Sequence, residues 1–195
     1  FRSIDTIASW SLRLCLAYPK TSGWKVEHPT NKQWNKLYEC CSGLLGKQFV
    51  RRVVAATYAG VYVDEYQDCS DLQHGLVCAF AEFMPCRILG DPMQAIFDFG
   101  GDEGKPVDWA VSVYPTFTCL GQLDTPWRWK TTGDPKLGDW LKKARETLEQ
   151  GQKIDLLNGL PECVKRAYTT PEFLAAKQYN SLIGLLGHND SVIAL

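Results

Sequence analysis

The stretch that decides the fold is Val61–Ser70, which reads Val-Tyr-Val-Asp-Glu-Tyr-Gln-Asp-Cys-Ser. Three β-prone residues lead directly into two adjacent carboxylates, Asp64 and Glu65. Neighbouring side chains on an extended chain point to opposite sides, so the two carboxylates can serve different partners. In nucleoside triphosphatases, one group at such a strand end holds Mg²⁺ and another handles the attacking water. The stretch therefore predicts such a site or, as the simpler alternative, a strand that ends in a solvated acidic turn.

A second strand follows the first at the spacing of a βαβ unit. Ser70–Phe83 has the pattern of a helix, and Cys86–Leu89 is a short apolar run that ends on Gly90 and Asp91. A strand, a helix and a strand in this order predict a parallel sheet. Ligands of parallel sheets bind at the carboxyl ends of the strands, which is where Asp64 and Asp91 lie.

Hydrophobic periodicity outside this unit predicts further elements. The predicted helices are Asp5–Tyr18, Pro135–Gln150 and Pro171–Leu186, and the predicted strands are Val111–Thr118, Glu162–Tyr168 and a last one from Ser191. Phe49–Tyr58 fits a helix or a strand. Lys20–Gln48 is interpreted as a polar connection broken by glycine and proline, anchored by Trp24 and Trp34.

Composition is typical of an ordinary globular protein. It favours neither a membrane protein nor a protein that binds nucleic acid through a large overall positive charge. The chain has 195 residues, 45% of them hydrophobic and 22% charged, with a net charge of −1. No apolar run approaches the ~20 residues of a membrane span, so we expect no membrane partner. The eight cysteines form no Cys-x-x-Cys pair, which favours buried free thiols in the reducing cytoplasm.

Two motifs together resemble those of the UvrD/Rep-type superfamily 1 DNA helicases. Asp64–Asp68 reads Asp-Glu-Tyr-Gln-Asp, and Gly90–Gly101 reads Gly-Asp-Pro-Met-Gln-Ala-Ile-Phe-Asp-Phe-Gly-Gly. The family carries an Asp-Glu-x-Gln-Asp box followed by Gly-Asp-x-x-Gln-small-Ile-aromatic-x-aromatic. Asp5–Trp10 is similar to its early strand-binding motif, and Leu123–Arg128 is similar to its later Leu-x-x-Asn-aromatic-Arg motif.

The resemblance implies an α/β, RecA-like P-loop NTPase fold, with a parallel sheet flanked by helices and truncated at both ends. Residues 1–126 would be the C-terminal part of the first RecA-like domain, with 11–60 as a short subdomain-like insertion. Residues 127–195 would begin the second RecA-like domain. The short insertion puts strand separation in doubt, because larger family members use a bigger helical subdomain there to grip duplex.

The resemblance also implies a site for ATP and Mg²⁺. Its catalytic residues would be Glu65, Gln94 and Arg128, and its cofactor-binding residues would be Asp64, Gln67 and Asp91. Asp64 would hold the metal, Glu65 would activate the water, and Gln94 would sense the γ-phosphate. Arg128 would stabilise the charge that develops on the phosphoryl group; its alternative role is a cation packed between Trp127 and Trp129.

Single-stranded DNA is the implied partner, and RNA stays open because stacking does not report the 2′-hydroxyl. Phe97 and Phe99 would stack on bases without reading their sequence, while Ser9 and Trp10 would touch the strand at the other end of the surface. The alternative for the aromatic residues is a place in the core. Trp10, for example, shares a helical face with apolar neighbours.

Departures from the family pattern limit what this chain is expected to do alone. Gly46-Lys47 is followed by Gln48, and Gly104-Lys105 by Pro106, so neither is a Gly-x-x-x-x-Gly-Lys-Ser/Thr loop. We expect that loop before Phe1 and the late motifs beyond Leu195. Pro126 also replaces the usual Asn of the later motif.

The sequence thus predicts an internal segment of an ATP-dependent 3′–5′ DNA helicase or translocase, inactive by itself. The first alternative is a non-catalytic DNA- or partner-binding module beside a nuclease in a repair or defence complex. A second alternative is an unrelated metal-dependent hydrolase, but its usual histidines are missing near these carboxylates, because His28, His74 and His188 lie elsewhere in the sequence.

Overall fold

The computed structural model describes residues 4–95, 105–131 and 135–156, and single positions between 158 and 180. The chain divides into two compact units, Phe1–Leu120 and Gly121–Leu195. The elements predicted at Glu162–Tyr168, at Pro171–Leu186 and from Ser191 fall almost entirely outside the described residues. The predicted domain limits, 1–126 and 127–195, stay predictions.

The first unit begins with four helices. They are α1 (Ile7–Ala17), α2 (Pro19–Ser22), α3 (Trp34–Leu45) and α4 (Gln48–Thr57). Helix α1 begins where the Thr6 side chain accepts a hydrogen bond from the Ser9 amide at 3.0 Å, as expected of an N-cap. Helix α2 ends at Gly23, whose φ of 73° is the left-handed conformation that glycine adopts at helix ends.

The interpretation of Lys20–Gln48 as a polar connection is wrong, because this segment contains helix α3. Leu37, Cys41, Leu44 and Leu45 are at most 1% exposed and form the centre of the core. Their spacing of four, three and one residues places them on one face of a helix. The polar residues that dominate the segment lie on the opposite face, so composition concealed the apolar stripe. The next segment, Phe49–Tyr58, which fitted either element, is helical.

Arg51 of helix α4 links Leu45, the last residue of helix α3, to Glu82 and Phe83. Its Nε donates to the Leu45 carbonyl at 2.5 Å, and its guanidinium donates to the Glu82 carboxylate at 2.6 Å. The guanidinium carbon also lies 5.3 Å from the centre of the Phe83 ring. One side chain therefore makes a hydrogen bond, an ion pair and a cation–π contact.

We expect Arg51→Ala to lower the free energy of unfolding of this chain by about 1–2 kcal/mol, because a carbonyl and a carboxylate both lose their donor. Chemical denaturation measures the change. Lys36→Ala is the matched control, since it removes only an exposed ion pair to Glu39 at 2.9 Å and should leave stability almost unchanged. If both substitutions changed the free energy of unfolding equally, the contacts of Arg51 would not stabilise the unit as expected.

The predicted βαβ unit is confirmed. Strands β1 (Val61–Val63) and β2 (Cys86–Ile88) are parallel, with Val61 opposite Cys86 and Val63 opposite Ile88. Helix α5 (Asp71–Ala81) connects them. It begins with a capping box, in which the Ser70 hydroxyl accepts from the Gln73 amide and the Gln73 side chain accepts from the Ser70 amide. Among the described residues the fold is therefore mostly helical, with a small parallel two-stranded sheet.

The strand predicted at Val111–Thr118 is wrong. Residues Trp109–Val113 form a single wide helical turn, followed by the short helix α6 (Tyr114–Thr116). The Asp108 side chain caps this turn by accepting from the Val111 amide at 3.0 Å. Pro115 then occupies the first turn of α6, where its missing N–H is harmless, whereas in a central strand it would remove a ladder hydrogen bond.

A second cluster of buried residues packs against strands β1 and β2. Its buried members are Tyr66, Cys69, Val77, Val107 and Val113. The chain around Pro106 pairs antiparallel with Ser70, and the Val107 amide donates to the Cys69 carbonyl at 3.0 Å. This pairing holds the segment after the acidic box against the body of the unit.

The second unit contains helices α7 (Trp127–Thr131) and α8 (Pro135–Glu149) in its described part. Gly138 of α8 is buried against Trp129, where an added Cβ would come within 2.7 Å of the Trp129 Cβ. The described cysteines, all but Cys163, are free thiols. Cys15, Cys41 and Cys69 are buried, as predicted, whereas Cys119 is exposed. In the part of the chain that the structure describes, no helix is both long enough and apolar enough to cross a membrane.

Candidate functional site

The acidic pair lies where strand β1 ends, and its backbone is unusual. Asp64 and Glu65 are both exposed. Glu65 has φ 50° and ψ 45°, the left-handed conformation, and is the one described non-glycine residue with positive φ. The Glu65 amide donates to the Asp64 carboxylate at 2.9 Å. A bulky residue held in this region typically costs about 1–3 kcal/mol, and such residues cluster at functional sites.

Gln67 connects the two predicted motifs. It is 4% exposed. Its Nε2 donates to the Glu65 carboxylate at 2.6 Å, and its Oε1 accepts from the Asp91 amide at 2.9 Å. The acidic box after β1 is therefore bonded, through one buried side chain, to the segment that follows β2.

The close approach of these segments depends on Gly90. The Tyr66 amide, three residues past the end of β1, donates at 2.9 Å to the carbonyl of Leu89, one residue past the end of β2. A Cβ at Gly90 would lie 2.9 Å from both the Tyr66 amide nitrogen and Gln67 Oε1. Only glycine fits here without displacing backbone, which accounts for the glycine that opens the second motif.

Asp91 then orders the turn that carries Gln94. One carboxylate oxygen of Asp91 accepts from the Met93 amide at 3.0 Å, and the other accepts from Gln94 Nε2 at 2.8 Å. The turn itself is the 3₁₀ segment Pro92–Gln94. The structure thus joins four of the predicted site residues in one hydrogen-bonded chain, Glu65–Gln67–Asp91–Gln94, with Asp64 adjacent to its start.

Tyr66 connects this site to the second buried core, a role that the sequence analysis did not predict. It is fully buried, and its hydroxyl lies 2.7 Å from His74 Nδ1. Burial raises the pKa of the Tyr66 hydroxyl well above its usual range and lowers the pKa of His74. Both groups are therefore neutral near pH 7. Tyr66, which directly follows Glu65 in the chain, is thus an uncharged structural support.

The exposed carboxylate of Asp64 is compatible with a magnesium ion that is held mainly by phosphates and water. Within the described ranges, no three His, Cys, Asp or Glu side chains are close enough to hold a metal ion. Mg²⁺ is usually bound through one or two carboxylates together with substrate phosphates and water. An exposed Asp64 at a strand end fits that arrangement.

Of the four residues predicted to bind DNA, the structure describes Ser9 and Trp10. Ser9 is exposed on α1. Trp10 is half-buried, with its ring centre 4.9 Å from that of Phe80 and its Nε1 donating to the Tyr58 hydroxyl at 3.4 Å. These contacts favour the core role for Trp10. Phe97 and Phe99 lie outside the described residues.

Arg128 lies on helix α7 of the second unit and is exposed. Its neighbour Trp127 is 68% exposed, and Lys130 Nζ lies 5.8 Å from the centre of the Trp127 ring. The helix therefore presents basic and aromatic side chains side by side. The catalytic role of Arg128 stays a prediction.

Comparison with known proteins adds one match. Residues 30–105 match the family model of the UvrD/REP helicase N-terminal domain. No curated protein and no solved structure matches the chain. The matched stretch includes both strands, the acidic box and the turn that carries Gln94. The resemblance inferred from the motifs is thereby confirmed: over residues 30–105, this chain is similar to the N-terminal domain of UvrD/Rep-type helicases.

Proposed function

We propose that this chain forms part of an ATP-dependent 3′–5′ DNA helicase or translocase with a RecA-like fold. The observation that carries the proposal is the chain of hydrogen bonds from Glu65 through Gln67 and Asp91 to Gln94. It joins the carboxyl ends of two parallel strands, the place where such sheets bind ligands. The family match over residues 30–105 supports the same function.

Each residue in the site has a distinct task in ATP hydrolysis. Asp64 would hold Mg²⁺, and the bound ion would neutralise charge on the phosphate oxygens. Glu65 orients the attacking water and accepts its proton. Gln94, on the neighbouring turn, contacts the γ-phosphate. Arg128 would stabilise the charge of the transition state, a contribution worth ~10³–10⁵ in rate for arginines of this kind.

Single-stranded DNA is the proposed partner, with RNA as the other nucleic acid to be tested. A net charge of −1 provides no global attraction for phosphates, so binding depends on local contacts. Stacking on aromatic side chains meets that need, at ~1–3 kcal/mol per base. We further propose a cytoplasmic location and an association with a nuclease or another repair or defence protein.

DNA-stimulated ATP hydrolysis by the full-length protein tests the proposal. We expect hydrolysis to require Mg²⁺ and to rise when single-stranded DNA is added. DNA binding without any ATP hydrolysis would favour the non-catalytic module instead.

Phe97→Ala should weaken the affinity of the full-length protein for single-stranded DNA about 5- to 100-fold, and by a similar factor for all base sequences. The reason is that a stacking platform contacts base faces, which every sequence offers. Fluorescence anisotropy with homopolymeric and mixed oligonucleotides measures the change. Unchanged affinity together with a lower thermal stability would place Phe97 in the core.

A further inference from the structure

The orientation of the Gln67 side-chain amide is fixed by the chemistry of its partners. A backbone N–H can only donate, so the Gln67 atom 2.9 Å from the Asp91 nitrogen is the carbonyl oxygen. The amino group must then face Glu65, whose carboxylate oxygen lies 2.6 Å away and accepts. Reversing the amide would leave a donor facing a donor and an oxygen facing an oxygen.

The surroundings keep Gln67 in this position. The side chain is 4% exposed, so water has little access to replace either bond. Its Oε1 is only 2.9 Å from the position that a Cβ at Gly90 would take, which shows how closely the backbone passes over it. Both polar atoms of the side chain are engaged within the protein.

We infer that Gln67 is a positioning residue, which holds the Glu65 carboxylate by its amino group and ties it to the turn that carries Gln94 by its carbonyl. This inference rests on the proposed function, in which Glu65 activates water. It differs from the cofactor-binding role predicted for Gln67 from the sequence, because Gln67 acts through Glu65 and Asp91 rather than on the nucleotide.

Two substitutions separate the two bonds. Gln67→Leu removes both, whereas Gln67→Glu keeps an acceptor for the Asp91 amide and removes the donor to Glu65. In the full-length protein we expect kcat for ATP hydrolysis to fall ~10- to 100-fold in both variants, the range for losing one hydrogen bond to a charged group. KM for ATP should stay within about twofold, because the lost interaction orients the water-activating group rather than binding substrate.

Amide hydrogen exchange in the 195-residue chain gives a second readout that needs no activity. In Gln67→Leu, the Asp91 amide should exchange at least about tenfold faster, because its acceptor is gone. In Gln67→Glu it should stay protected. The amides of Tyr66 and Leu89 donate to backbone carbonyls, so they should stay protected in both variants.

Gln73 provides a matched control. Its Oε1 also accepts from a backbone amide, that of Ser70 at 2.8 Å, and its Nε2 donates to the Tyr38 hydroxyl at 3.0 Å. Unlike the bonds of Gln67, neither of these two bonds involves a carboxylate. Gln73→Glu and Gln73→Leu should therefore leave kcat within about twofold of the wild-type value.

The outcomes separate the inference from the proposed function. Unchanged kcat in both Gln67 variants, or equal losses in the Gln73 variants, would overturn the positioning role. If the wild-type full-length protein hydrolyses no ATP, the proposed function fails, and the exchange data alone decide the inference. Unaltered exchange at Asp91 in Gln67→Leu would then overturn it. Gln67→Glu retains one of the two bonds and serves if Gln67→Leu does not fold.

Discussion

Glu65→Gln should lower DNA-stimulated ATP hydrolysis by the full-length protein about 10²- to 10⁴-fold, the usual contribution of a general base. Glutamine keeps the size of the side chain and an oxygen for the Gln67 amino group, but it cannot accept a proton from water. Nucleotide binding should remain, because the substitution leaves Asp64 and the turn after β2 in place. Single-turnover hydrolysis and the binding of a fluorescent ATP analogue measure the two effects.

Glu39→Gln is the control for Glu65→Gln. Glu39 is an exposed glutamate of helix α3 whose partner is Lys36, so its loss should leave hydrolysis unchanged. A rate near that of the wild type in Glu65→Gln would remove Glu65 from the proposed role. Loss of nucleotide binding together with hydrolysis would instead indicate that the substitution disturbs the whole strand end.

Gly90→Ala should lower the free energy of unfolding of this chain by about 2–4 kcal/mol. The added methyl group would lie 2.9 Å from the Tyr66 amide nitrogen and from Gln67 Oε1, so either the backbone shifts or both hydrogen bonds break. That loss is a large share of the ~5–15 kcal/mol that stabilises a typical domain. Chemical denaturation of the 195-residue chain measures it.

Gly75→Ala is the matched control for Gly90→Ala. Gly75 lies in helix α5, and a Cβ there would meet no atom within 4 Å. Alanine in an open helical position should raise stability by about 0.5–1 kcal/mol, because it reduces the freedom of the unfolded chain. A Gly90→Ala variant as stable as the wild type would show that the two strand ends are less closely apposed than the structure describes.

The sequence predicted the βαβ unit well because its signals were local. Short apolar runs, a helical pattern and a glycine that ends a strand each act within a few residues, and the helix predicted at Ser70–Phe83 is observed as α5. Val111–Thr118 was wrongly predicted as a strand from an equally local pattern, whereas the Asp108 cap and Pro115 favour helical turns. Propensity is weak when a cap and a proline oppose it.

The four residues of the hydrogen-bonded chain were among those predicted from the motifs, but the bonds that connect them were not predictable. The motifs identified Glu65, Gln67, Asp91 and Gln94, yet nothing in their spacing indicated that Gln67 would bond both to Glu65 and to the segment that follows β2. That contact depends on the register of β1 against β2 and on the missing Cβ of Gly90, which are properties of the folded backbone. The same holds for Tyr66, whose partner His74 becomes its neighbour only because the chain turns between the acidic box and the start of α5.

The core around helix α3 limits how this chain could be shortened in evolution or in engineering. Leu37 and Cys41 belong to the same buried cluster as Leu76 and Phe80 of α5, the helix that joins the two strands. The region 11–60 is therefore not an appendage that can be deleted, exchanged or enlarged at will. A protein with a longer or shorter region 11–60 must keep a helix in the position of α3. Without it, α5 and the strands that it joins would lose part of the buried core against which they pack.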